Sequence, residues 1–206
     1  MVILNIQGMS VDAKAKSSWK IQYLRDFLNS YDTYIPIICI TETWLKTYSS
    51  RAQIKLPSYT PYHSDKQSRA RGGCITYVHE DIAIGEVLRF DNQYCEVVIT
   101  PLEKASTAII TIYKPGNAPL SKFATATNFV QNFVTSVNGN WNFLINGDFN
   151  FPNINWQSSN VVSGLSSNEN ACANLLLNFL ERNGMRQYVD VSTRREPNGT
   201  ANIFEP

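Results

Sequence analysis

Long hydrophobic runs are missing from this sequence. The longest, Ile35–Ile40, contains Pro36 and falls far short of the ~20 apolar residues that span a bilayer. Asn5 and Gln7 interrupt the amino-terminal Met1-Val2-Ile3-Leu4 before a signal-peptide core can form. Neither secretion nor a membrane anchor is expected, and the chain reads as intracellular. An excess of one charge is missing too. Eighteen Lys+Arg against seventeen Asp+Glu leave +1, which excludes a strongly basic coat protein or an acidic tail but permits a local basic groove. Cysteines are few and never closely paired. Cys39, Cys74, Cys95 and Cys172 lack the spacings of a zinc site and read as buried free thiols of a reducing compartment. No G-x-G-x-x-G opens a helix, so dinucleotide binding is not supported.

What is present suffices for one folded domain. The chain has 206 residues, 43% hydrophobic and 17% charged, an ordinary globular balance at single-domain size. Strand-like text covers Val2–Ile6, Ile35–Thr41, Cys74–Val78, Ile82–Leu88, Tyr94–Thr100, Ser106–Tyr113, Trp141–Asn146, Met185–Val189 and Ala201–Phe204. Ser49–Ala70 reads as polar loop. A first helix follows a cap at Ser17 or Ser18, with Ile21, Leu24, Leu28 and Tyr31 on one stripe. A second spans Leu120–Val137, with Phe123, Ala126, Val130, Val134 and Val137 on one face. A third opens at Ser166 and Glu169, which have capping-box spacing, and stops at Asn183-Gly184. Helices interspersed with many strands predict a layered α/β domain.

Polar groups at the ends of buried strands carry the chemical signal, because ligands of α/β layers gather there. The first strand ends in Asn5 and Gln7, the second in Thr41-Glu42-Thr43-Trp44, a later one in Tyr113-Lys114, and another in Asp148 and Asn150. Singly, each has a plainer reading. Asn5 pairs backbone, Glu42 caps a turn, Tyr113 is a rim aromatic, and Asp148 makes an Asx turn. Together they offer hard oxygen donors suited to Mg²⁺ and phosphate rather than to zinc.

The segments LNIQGM, ITETWL, RGGCITYV, IYKP and NGDFNFPNINW resemble the endonuclease/exonuclease/phosphatase superfamily. Within it they are most similar to the apurinic-endonuclease-like domain of non-LTR retrotransposons of the jockey and chicken-repeat type. The likeness runs from about Val2 to the carboxyl terminus. It implies a DNase I-like, four-layer α/β sandwich, with two mixed β-sheets flanked by helices. It also implies one metal-and-phosphate site built from Asn5, Glu42, Tyr113, Asp148 and Asn150. Asp65 falls where many such domains have Asp-Arg before the double glycine. The pattern's late Leu-Asp pair aligns with Phe204-Glu205, and its closing Ser-Asp-His has no counterpart before Pro206. Against that pattern residues 1–206 are expected to be a C-terminally incomplete domain lacking its last strands. His63 and His79 read as surface residues.

The resemblance implies a mechanism. Glu42 and Asn5 hold Mg²⁺ or Mn²⁺, Asp148 orients or deprotonates water, Asn150 donates to the phosphate, and Tyr113 donates to the developing oxyanion. Lys66, Arg69, Arg71, Lys114, Arg194 and Arg195 are the candidate DNA contacts. The expected activity is a DNA nick that primes reverse transcription. Its partners are DNA and a reverse transcriptase segment of the same polyprotein, and its place of work is the nucleus. Two alternatives stand beside it. One is a catalytically inactive remnant or DNA-binding module, the other a phosphatase or phosphodiesterase of the same fold.

Overall fold

A computed structural model describes residues 1–9, 19–45, 54–64, 72–137, 139–162, 166–188, 194–195 and 201–202. The first layer is helix α1 (Trp19–Ser30). It lies on a sheet formed by β1 (Val2–Asn5), β2 (Ile37–Thr41), β3 (Tyr59–His63) and β4 (Cys74–His79). The strand order is β1-β2-β4-β3, with β1 and β2 parallel and the other pairs antiparallel. The second sheet holds β5 (Leu88–Asp91), β6 (Glu96–Leu102), β7 (Thr107–Tyr113) and β8 (Asn142–Asp148) in sequential order, with only its β7–β8 pairing parallel. Helices α2 (Leu120–Ser136) and α3 (Ser167–Arg182) complete the fourth layer. Short antiparallel pairs join β9 (Ile154–Asn155) to β10 (Asn160–Val161), and β11 (Arg194–Arg195) to β12 (Ala201–Asn202). This is the mixed α/β sandwich that the sequence implied. Among the described residues no helix is long and apolar enough to cross a membrane.

Period-two alternation decides what each strand shows to each layer. On β2, Ile38 and Ile40 pack with Ile21 and Leu24 of α1, whereas Ile37 and Cys39 turn toward Ile109 of the other sheet. On β7, Ala108, Ile110 and Ile112 face Phe123, Ala126, Val130 and Phe179 of the fourth layer. The opposite face of β7 carries Thr111, whose hydroxyl lies 2.9 Å from that of Thr76. The seam between the sheets therefore mixes polar pairs with apolar side chains, Ile37, Cys39 and Ile109 in one cluster and Cys74, Val98 and Tyr113 in another. The capping box forms as its spacing required: the Glu169 N–H donates to Ser166 Oγ at 3.3 Å, and the Ser166 N–H donates to Glu169 Oε2 at 3.1 Å.

Several local expectations are corrected. Ile82–Leu88 is not a strand. The Gly85 N–H donates to Pro101 O in an irregular segment, and pairing begins only at Leu88. Tyr59–His63 is a strand despite its polar text. It accommodates Pro61 because, among the described residues, it is a sheet edge, where one N–H need not pair. Met185–Tyr188 forms no strand. Tyr31 lies past the end of α1 and is exposed rather than on its buried stripe. The Ser17/Ser18 cap, Asp65 and Phe204-Glu205 lie outside the described residues.

All four cysteines are buried and free. Burial pushes the Cys39 thiol up from 9.0 to about 11, against smaller opposing contributions from its hydrogen-bond partners Thr111, Asn146 and Thr76. A thiol whose folded pKa is raised stabilises the fold fully below its ordinary pKa and loses that contribution as pH rises through the folded value. Stability is therefore expected to fall between pH 9.0 and about 11. Thermal melts across that window check this, and Cys39→Ala should show a shallower decline. Parallel declines in the two proteins would refute the assignment.

Candidate active site

The same alternation that builds the core aims the chemistry. Val2 and Leu4 of β1 pack toward α1, and Phe143 and Ile145 of β8 pack toward the fourth layer. The intervening positions face the seam, and the last of them are Asn5 and Asp148. Among the described residues β1 and β8 are edge strands of their sheets, and they meet across the sandwich. Asn5 Nδ2 donates to Asp148 Oδ2 at 2.7 Å. The other carboxylate oxygen, Oδ1, accepts from Asn150 Nδ2 at 2.7 Å and from the Asn150 N–H at 3.3 Å. Tyr113 is in register with Asp148 on the neighbouring strand. Gly147 has to be glycine, since a Cβ there would run into the Ile112 carbonyl.

Glu42 leaves the end of β2, beside β1. The Gly8 N–H donates to its carbonyl at 2.6 Å, and Trp44 Nε1 donates to its Oε2 at 2.7 Å. Lys20 reaches from α1 to cap the end of β1, donating to the carbonyls of Ile6 and Gln7 at 2.6 Å each. Gln7, Glu42, Trp44 and Asn150 all adopt positive φ. For residues with a side chain this costs ~1 kcal/mol or more apiece, and such strain concentrates at functional sites. The donor groups are oxygen throughout: one Glu42 carboxylate oxygen beyond the one bound to Trp44, the Asn5 carboxamide oxygen, and Asp148. No group of three or more His, Cys, Asp or Glu gathers among the described residues. A set with few carboxylates fits Mg²⁺ or Mn²⁺, which keep water and substrate phosphate as further ligands, and does not fit zinc.

A profile of the Endonuclease/Exonuclease/phosphatase family matches residues 4–202. The chain belongs to this family. No curated protein matches the sequence. Among solved structures, the chain is similar to the 3'-5' exonuclease NExo from Neisseria meningitidis, with 14% identity and TM-score 0.62, covering 99% of this chain and 84% of that one. It is similar to the AP endonuclease LMAP from Leishmania major, with 12% identity and TM-score 0.60, covering 98% and 76%. It also resembles the endonuclease domain of TRAS1, a telomere-specific non-LTR retrotransposon, with 15% identity and TM-score 0.57, covering 99% and 82%.

Within this family fold, the five residues singled out in sequence occupy neighbouring strand ends, and three of them hydrogen-bond directly. Two of the candidate residues make contacts that the sequence did not foresee. Asn150 was to donate to phosphate, yet its two amide hydrogens are both committed, to Asp148 Oδ1 and to Lys114 O at 3.0 Å. In the structure it binds Asp148 and the backbone at the end of β7. Lys114 was to touch DNA, yet it is 1% exposed. Its Nζ donates to Phe149 O at 3.0 Å and Pro115 O at 3.1 Å, and sits 4.1 Å from the centre of the Phe151 ring. The amine ties the end of β7 to the Asp148 turn. Lys66, Arg69 and Arg71 lie outside the described residues, and so do the side chains of Arg194 and Arg195, whose backbones pair with Asn202 and Ala201. His79 lies 3.3 Å from Asp81 and packs against Tyr34 and Tyr59.

Sequence reasoning missed Lys20, whose partners lie more than ten residues away and are brought to it by folding. It also missed the bond from Trp44 to Glu42, because neighbours in sequence meet only when the backbone between them turns, here with positive φ at both residues. Replacing Lys114 with Met should lower unfolding free energy by about 1–3 kcal/mol, since the buried Phe149 carbonyl loses its donor, with a smaller loss at the half-buried Pro115 carbonyl. Urea unfolding checks this. Unchanged stability together with weakened DNA binding would return Lys114 to the role first expected of it.

Proposed function

We propose that this chain is a Mg²⁺-dependent DNA endonuclease domain of a non-LTR retrotransposon, hydrolysing a phosphodiester to leave a 3′-hydroxyl that primes reverse transcription. The observation that carries the reading is the Asn5–Asp148–Asn150 hydrogen-bond chain at the mouth of the sheet seam. It sits within motifs that run in retrotransposon order, LNIQGM, ITETWL, RGGCITYV, IYKP and NGDFNFPNINW. Support also comes from the neighbours' own descriptions, which include a DNA hairpin product complex and a retrotransposon endonuclease domain.

Each residue has a task that follows from its contacts. Asp148 is held at both oxygens, by Asn5 and by Asn150. A carboxylate has about four acceptor positions and three accept from Asn5 and Asn150, so about one remains to orient an attacking water and take its proton. Asn150 fixes the direction of that carboxylate. Asn5 spends one amide hydrogen on Asp148 and keeps its oxygen on the side of the Gln7 N–H. Glu42 and Asn5 would hold the metal, which when bound offsets charge on the phosphate oxygens and the leaving 3′ oxygen. Tyr113, on the strand beside Asp148, supplies a hydroxyl for the developing oxyanion. Lys66, Arg69, Arg71, Arg194 and Arg195 supply the phosphate contacts that position DNA. In the element the domain works in the nucleus, joined to a reverse transcriptase segment.

Relaxation of supercoiled plasmid in Mg²⁺ tests the proposal. Asp148→Asn and Glu42→Ala should each lower the nicking rate by ~10²–10⁴-fold, the usual loss on removing a general base or an electrostatic partner. Parallel assays on 3′-phosphorylated oligonucleotides and small phosphoesters separate a phosphatase from an endonuclease. A wild-type chain that binds DNA and Mn²⁺ but never nicks would identify an inactive binding module.

A further inference from the structure

We infer that Glu96 is a positioning residue that fastens the two halves of the proposed site to each other. Glu96 is fully buried, at 0% exposure, although its neighbours Val97, Val98 and Ile99 are apolar. It is the first residue of β6 and is in register with Tyr113, so the row Glu96–Tyr113–Asp148 runs across the ends of three strands. A glutamate is seldom sealed from water without compensating bonds, and here both oxygens accept. Oε2 accepts from Ser64 Oγ at 2.6 Å, and Oε1 accepts from the Gly73 N–H at 3.0 Å.

The Gly73 bond holds the double glycine of the first sheet against the second, and the Ser64 bond fixes the carboxylate that accepts it. Gly72 and Gly73 in turn carry the turn that bears Glu42. The Trp44 N–H donates to Gly72 O at 2.7 Å and the Thr43 N–H donates to Gly73 O at 3.3 Å. The Trp44 indole then binds Glu42. On its other side Gly72 rests on the Tyr113 ring. A Cβ there would come within 2.6 Å of Tyr113 Cε1 and 3.2 Å of Glu96 Oε1, and its φ of 97° also favours glycine. One buried carboxylate thus braces Glu42 through two glycines and sets the wall against which Tyr113 lies. Charge-assisted bonds in a low-dielectric seam are short and directional, which suits a support that has to hold geometry within a fraction of an ångström. Glu96 makes no contact with substrate in this scheme.

The inference rests on the proposed site, so its test has one readout that needs no activity. In Glu96→Ala, hydrogen exchange at the Thr43 and Trp44 amides should accelerate at least ~10-fold, as local opening becomes easier, while the Ile99 and Ile110 amides of the central strands keep their protection. Nicking kcat should fall ~10²-fold with KM for DNA changed less than ~3-fold, the signature of lost transition-state geometry rather than lost binding. Glu96→Gln keeps an acceptor for the Gly73 N–H, and the Ser64 hydroxyl can turn to accept from the new amide, so exchange should return to within ~3-fold and kcat to within ~10-fold of wild type. Should Glu96→Ala not fold, Ser64→Ala removes one of the two bonds and should accelerate the same amides to a lesser degree. Unchanged Thr43 and Trp44 exchange in a folded variant overturns the inference, as does a Glu96→Gln protein as impaired as Glu96→Ala. A wild-type chain without nicking removes the proposed function but leaves the exchange experiment to decide the role of Glu96.

Discussion

The 2.7 Å hydrogen bond from Asn5 to Asp148 is the contact on which the rest of the architecture converges. It joins the first strand of the chain to a strand more than a hundred residues later, and it exists only if both strands hold their register. A one-residue slip of either would turn its polar end away from the seam. The parallel pairings β1–β2 and β7–β8 set those registers. The helices on the outer faces make them costly to shift, because Ile38, Ile40, Ile110 and Ile112 are buried against them.

The seam is where stability and chemistry compete. A sandwich interior made only of aliphatic side chains would pack well but present no polar group at its mouth. This one places Thr76 against Thr111, Ser64 against Glu96 and Asn5 against Asp148. The larger apolar clusters lie outward, between each sheet and its helices, with smaller ones in the seam. Lys114 follows the same rule. A buried amine is tolerated because two carbonyls and an aromatic face receive it, and in exchange it ties the Tyr113 strand to the Asp148 turn. Positive φ at Gln7, Glu42, Trp44 and Asn150 is strain of the same kind, supported by the rigid sheets beneath.

Much of this was legible beforehand. Strands with apolar alternation, the capping box at Ser166 and Glu169, and the stop at Asn183-Gly184 are local signals, and they appear nearly where expected. The five candidate residues were singled out from motifs at strand ends, and the fold brings the ends of β1, β7 and β8 together. Tyr59–His63 escaped notice because an edge strand needs neither apolar alternation nor a full set of N–H donors. Ile82–Leu88 misled because its β-branched text is interrupted by Gly85, which bonds to Pro101 instead of continuing a ladder.

Lys114 and Glu96 mark the boundary between the two kinds of information. By residue type both are surface groups, and nothing in their immediate sequence contradicts that. The sequence by itself determined periodicity, caps and the residue types available at each strand end, because those depend on neighbours a few positions away. Only the tertiary structure decided that the Lys114 amine lies beneath the Asp148 turn and that the Glu96 carboxylate is sealed between the sheets. Burial and hydrogen-bond partners are set by segments tens of residues distant: Phe149 for Lys114, Ser64 and Gly73 for Glu96. The physical reason is that desolvation is a property of a place in the fold, whereas charge is a property of the residue.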